Sequence, residues 1–142
     1  LWLEFRRVVF WSYNDKAIIR THNKYHEAIE WLYGNKTRNS AFRQAGIIAP
    51  IAMFFNRDKE QAKKFYNNLI SSDYVGTESK GQNSVRKLNK LIVDISNWIK
   101  TDQKHKLPAS YGHGRTQMNF WYRNTRSCIK AFENNKTFRT VK

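Results

Sequence analysis

His22 and His26 stand four residues apart, the spacing that puts two imidazoles on one face of a helix, where they can ligate a metal ion. Glu30 continues that face. A hydrolase of the His-Glu-x-x-His type needs a glutamate directly after its first histidine, and Asn23 stands there instead. The only cysteine, Cys128, is far away in sequence. Two ligands without a third make a weak site, and His22 can equally belong, with Thr21 and Asn23, to the cap of the helix.

A further histidine lies between two glycines in Tyr111-Gly112-His113-Gly114, after Lys104, His105 and Lys106. Basic side chains and a glycine-bearing backbone are what a phosphate-gripping loop uses. The Gly-Lys-Ser/Thr ending of a P-loop is missing, so an ordinary connecting loop is the expected reading. The 11 Asp+Glu of the chain include no paired-acid motif of the kind two-metal phosphoryl transfer uses. The expectation is no catalytic residue, no metal and no cofactor, with a nuclease as the enzyme class nearest to what these side chains offer.

Basic residues carry the more specific pattern. Asn119, Arg123, Arg126 and Lys130 fall at i, i+4, i+7 and i+11, which is one continuous helix face. Between Gly114 and Lys142 the only acidic residue is Glu133, so this stripe has almost nothing of opposite sign to pair with locally. Arg115 stands just before the same helix. Arg86, Lys87 and Lys90 lie on the outer face of the preceding one. The formal net charge of the 142 residues is +15. It is uneven: residues 1–78 hold 12 Lys+Arg against 8 Asp+Glu, and residues 79–142 hold 14 against 3. Such an excess calls for a polyanionic partner, nucleic acid first, with an anionic membrane or an acidic protein after it. The expected nucleic-acid-binding residues are Arg86, Lys87, Lys90, Arg115, Arg123, Arg126 and Lys130. The alternative is an interaction or assembly domain, without enzymatic activity, whose exposed aromatics dock a partner.

The elements that must position these residues are read from hydrophobic period. Ile47 to Phe55 is the densest apolar run, nine residues long and too short to span a bilayer. Asn56, Arg57 and Asp58 interrupt it. Ala62, Phe65, Tyr66, Leu69 and Ile70 then recur at helical spacing. Two short helices folded on each other are expected here, the first buried almost all round, with Pro50 as its first residue. Before them, Leu1 to Tyr13 reads as helix, with a strand at Val8 to Trp11 as the alternative and Asn14-Asp15 as a stop. A helix capped at Thr21-His22-Asn23 runs to Tyr33 and ends at Gly34. Another, capped at Thr37 or Asn39, closes at Gly46. Helix, glycine and helix together suggest a helix-turn-helix, but Pro50 and the apolar residues after it do not suit a base-reading helix.

After a polar loop over 71–83, Asn83 or Ser84 caps a helix with Val85, Leu88, Leu91, Ile92, Ile95, Trp98 and Ile99 as its stripe. The last helix runs from about Thr116 to Asn134, with Met118, Trp121, Tyr122, Cys128, Ile129 and Phe132 inward. Lys136 to Lys142 shows no helical period and is expected to fray or to continue into further chain, with a strand over 137–141 as the alternative.

Part of this layout resembles a known family. Ala41 to Ala49 leads into the apolar helix and on to Asp58, Ala62, Phe65 and Leu69. A loop with Gly76 and Glu78 precedes Leu88, and an aromatic helix near Trp121 carries Ala131 and ends in an Asn/Lys turn. Over residues 41–140 this resembles the C-terminal helical half of phage- and plasmid-borne proteins whose N-terminal half is a ParB-like domain marked by Gly-Gln-His-Arg. That tetrapeptide is absent here. The resemblance implies a mobile-element protein working on DNA, with this piece as a helical DNA-contacting or assembly module and no catalytic residue.

The fold expected is a single all-α domain of five or six helices over 1–142, a fragment of a longer chain since it opens inside an apolar stretch, Leu1-Trp2-Leu3. Its core should include Ile29, Leu32, Phe42, Ile51, Phe54, Phe65, Leu69, Leu88, Leu91, Ile95, Trp98 and Trp121. With one cysteine and no secretory signal, a reducing, cytoplasmic setting is expected. Oligomeric state is not legible.

Overall fold

The computed structural model describes residues 15–34, 39–71, 79–101, 111–112 and 114–141, with side chains from residue 23 onward. Among them are five α-helices, one 3-10 turn and no strand: α1 Asp15–Gly34, the turn Ser40–Arg43, α2 Ala45–Arg57, α3 Lys59–Ile70, α4 Lys80–Lys100 and α5 Arg115–Glu133. The helices pack against one another as a bundle around α2, which touches α1, α3 and, most extensively, α5; α5 also packs on α4, and α4 on α3. The element expected over Leu1 to Tyr13, Thr37 as a cap, and Gly76 and Glu78 lie outside the described residues.

Helix α2 takes the centre because it has no polar face to keep wet. Residues 45–52, Phe54 and Phe55 are all buried. It ends where Asp58 leaves helical backbone (φ −153°, ψ 88°) and its carboxylate accepts a hydrogen bond from Gln61 N–H at 3.3 Å, starting α3. An acidic N-cap suits the electropositive helix start. Ala62, Phe65, Tyr66 and Leu69 of α3 are buried, as their spacing requires. Edge-to-face rings tie these helices to α5: Phe65 and Phe132 have centroids 5.5 Å apart, and Phe54 and Phe132 6.4 Å.

Several element boundaries differ from the sequence expectation. Helix α1 begins at Asp15, so Thr21, His22 and Asn23 lie inside it rather than capping it. Asn39 caps only the 3-10 turn, its side-chain Oδ1 accepting from Ala41 N–H at 2.9 Å, and the extended Gln44 (φ −62°, ψ 139°) stops that turn. Gly46 therefore does not close a helix; it lies within the first turn of α2. A Cβ at Gly46 would come within 2.6 Å of the Met118 carbonyl and 3.0 Å of Trp121 Cβ, so glycine is what lets α2 and α5 approach. Pro50 is interior to α2, not its first residue; it leaves the Gly46 carbonyl without its i+4 donor, a cost the surrounding burial offsets. With the glycine inside the second helix and that helix buried, no helix-turn-helix forms.

Ser79, rather than Asn83 or Ser84, caps α4, accepting from Gln82 N–H at 3.0 Å. Lys80 to Asn83 are thus its first turn and not loop. Of the expected core, Ile29, Leu91 and Trp98 are only half-buried and the others are buried.

The largest difference is over residues 135–141, which neither fray nor form a strand. Asn135 adopts left-handed backbone (φ 52°). Asn135 N–H donates to Phe132 O at 3.3 Å and Lys136 N–H to Ala131 O at 2.8 Å, the paired bonds of a left-handed helix cap that reverses the chain. The tail then runs back over α4 and α5. Phe138 is 1% exposed. Its N–H donates to the Ser84 hydroxyl at 2.8 Å, and that hydroxyl lies 2.5 Å from Lys136 O. The buried Asn124 accepts from Val141 N–H at 2.7 Å and donates to Val141 O at 3.2 Å, doing for the tail what a neighbouring strand would.

Candidate nucleic-acid interface

The side chains expected to meet a polyanion all stand on the surface. Arg86, Lys87, Lys90, Arg115, Arg123, Arg126 and Lys130 are exposed, as is Asn119 within the α5 stripe. The opposite face of α5, with Phe120, Trp121, Asn124, Thr125, Cys128, Ile129 and Ala131, is buried. Burial of that face against α2 and α4 fixes the direction in which the stripe points.

The seven are not equivalent. Arg123, Arg126 and Lys130 make no side-chain hydrogen bond or ion pair with any described residue. On α4, Lys90 Nζ pairs with Asp94 at 3.0 Å, and Lys87 Nζ donates to Phe138 O at 3.1 Å. The Lys90 pair is exposed on both sides and holds weakly. The tail, hydrogen-bonded to Ser84 of α4 and Asn124 of α5, presents Lys136 and Arg139, both exposed. Sequence reasoning missed these two because it treated the tail as frayed.

On its other flank, α5 meets α2 in a groove of about 390 Å³ lined by Pro50, Met53, Arg57, Tyr122, Arg126, Ile129, Lys130 and Glu133. Its walls bear three cations and one carboxylate. That carboxylate, Glu133, is held by Arg57 at 2.6 Å, and Arg57 also lies over the Phe54 ring, 4.9 Å from its centroid. Pro50, Met53 and Ile129 supply its apolar part, and the Tyr122 hydroxyl donates to Met53 Sδ at 3.7 Å. Arg57 was legible only as an interruption of an apolar run; that it would border Arg126 and Lys130 depends on the α2–α5 packing.

The histidine pair gains no support as a metal centre. His26 Nε2 lies 3.0 Å from Glu30, and among the described residues no group of three or more His, Cys, Asp or Glu side chains is placed to hold an ion. The side chain of His22, and all of His113, lie outside the described residues. Cys128 is fully buried, burial pushes its thiol pKa up, and its sulfur donates to Ser84 O at 3.2 Å. It is therefore an inert packing group. Among the described residues no aromatic side chain is fully exposed, and Tyr25, Trp31, Tyr33, Trp98, Tyr122 and Phe132 are half-buried. Among the described residues no helix is long and apolar enough to cross a membrane.

Comparisons of the chain with protein-family models, with curated proteins and with solved structures found no match.

Proposed function

We propose that this protein binds nucleic acid through the phosphate backbone, across the face made by α5, the C-terminal tail and the outer side of α4. The observation that carries the reading is the α5 stripe: Arg123, Arg126 and Lys130 are exposed and unpaired among the described residues, and the one nearby carboxylate, Glu133, is already engaged by Arg57. Cations left without internal partners over several turns of helix are what a polyphosphate neutralises, with release of its counterions. Arg115, Lys136 and Arg139 extend the face. Lys87 and Lys90 add charge but are partly committed to Phe138 and Asp94. DNA is favoured over RNA on the sequence resemblance alone, which links the chain to phage- or plasmid-borne proteins that work on DNA.

The test is a salt series. Each phosphate neutralised on a duplex contributes about −0.9 to the slope of log K against log salt. Reversing Arg123→Glu and Arg126→Glu together should weaken binding strongly and flatten that slope by about two units, to a similar extent on unrelated DNA sequences, because phosphate contacts position a protein without reading bases. Melting temperature should barely change, since both side chains are exposed. An unchanged slope in the folded double variant removes these arginines from the interface.

A further inference from the structure

We infer that the groove between α2 and α5 seats one unstacked nucleobase, with that nucleotide's phosphate against Arg126 and Lys130, so that the preferred polyanion is single-stranded or locally opened. This rests on the nucleic-acid reading and narrows its substrate class. A helix face that only neutralises phosphates needs no cavity, and here one lies beside the stripe. Its volume, about 390 Å³, falls in the range of small-ligand sites. Its chemistry is split as a nucleotide is split. Pro50, Met53 and Ile129 form an apolar floor, the half-buried Tyr122 supplies an aromatic ring, and Arg126 and Lys130 stand at the edge without partners among the described residues. Arg57, 2.6 Å from Glu133, offsets the charge of that carboxylate beside the groove. A base stacked on tyrosine beside arginine is the recurring device of single-strand recognition, and it tolerates any base because each has a π-face. An acidic peptide would satisfy the two cations but leave the aromatic and apolar floor unused.

The experiment is fluorescence anisotropy with a labelled oligothymidylate and with a duplex of equal length, both at one ionic strength. Counterion release alone favours the duplex, whose salt slope per contact is the steeper. Preference for the single strand by roughly ten-fold is expected, the order of one base–aromatic stack. Tyr122→Leu should abolish that preference while duplex affinity and its salt slope stay at parental values. Should Tyr122→Leu fail to fold, Tyr122→Met, which keeps an unbranched apolar side chain at this half-buried position without a ring, should have the same effect. Polyglutamate of matched charge should compete poorly for the oligothymidylate. Equal affinities in the parent, a preference that survives in the folded variants, or full competition by polyglutamate each overturns the groove inference and leaves backbone binding standing. Absence of salt-dependent binding to either form overturns both.

Discussion

Along α1 and α3, most of the described basic side chains, though not the exposed Lys64, meet partners supplied by the protein itself. Lys59 is bonded to Glu27, His26 to Glu30, Lys63 lies 5.6 Å from the centroid of the Trp31 ring and Lys24 the same distance from that of Tyr25. Along α5 and the tail, Arg123, Arg126, Lys130, Lys136 and Arg139 are exposed, and Glu133 is taken by Arg57. Both regions are rich in basic residues, and what separates them is the supply of counter-charges and aromatic faces. Net charge alone therefore says little about where a polyanion would sit; the distribution of internal partners says more. The regions also differ in how they are held. The first is joined by side chains some thirty positions apart, such as Lys59 with Glu27 (|i−j| = 32), whereas the second depends on a tail anchored by residues some fifty positions away in sequence, such as Ser84 with Phe138 (|i−j| = 54).

The largest effect that would test this contrast is at the tail. Phe138→Ala should destabilise the protein by about 3–5 kcal/mol, because a fully buried ring is removed from a packed site, with denaturant titration as the measurement. It should also release Lys87 from Phe138 O. A loss under about 1 kcal/mol, the level of ordinary surface substitutions, would mean that the tail does not hold the second region together.

Next comes the core beneath the first region. Tyr66 is fully buried, its hydroxyl donates to Phe42 O at 3.3 Å, and burial pushes its pKa from 10.0 up to about 12. A folded-state pKa raised above the unfolded value contributes stability that is fully present below pH 10 and is lost as pH rises towards 12. At about 1.4 kcal/mol per pH unit, the Tyr66 share of the alkaline loss is about 2–3 kcal/mol. Tyr66→Phe should lack that share, so parent and variant should converge across this window in urea titrations. Parallel pH profiles would refute the assignment.

The smallest effect is at Glu27 and Lys59. The hydrogen bond from Lys59 holds the Glu27 carboxyl below its ordinary 4.5, and Glu27 holds the ammonium above its ordinary 10.5. Their contribution is present above the unfolded carboxylate pKa and is lost as pH falls through the lower folded value. For the lysine it is present below 10.5 and lost at higher pH. Both groups are in water, so Glu27→Gln should leave melting nearly unchanged. It should also leave the salt slope of nucleic-acid binding at the parental value. A steeper slope would place the freed Lys59 at the interface and break the contrast between the two regions.

Much of this was legible in the chain. Helical spacing of apolar residues placed α3, α4 and α5 within a few positions, because one buried face per helix imposes a 3.6-residue period whatever the partner. The outward direction of Arg123, Arg126 and Lys130 follows from that rule, since Trp121, Cys128 and Ile129 must point the other way. The starts of helices were read less well. Gln44 and Ser79 compete with equally plausible caps nearby, and packing selects among near-equal local choices.

Residue pattern and charge are enough for an all-helical chain built on a buried central segment, with basic excess concentrated in its second half. Local period and charge are properties of neighbouring residues and need no tertiary contact to be true. It takes the packing of helices to make Gly46 a point of close approach between α2 and α5, to bring Arg57 beside Arg126 in one groove, and to lay the tail on α4 and α5. Asn124 and Ser84 look in sequence like ordinary polar positions of a helix. They become the partners of Val141 and Phe138 because a buried backbone segment must have its N–H and C=O groups bonded, and those were the side chains within reach.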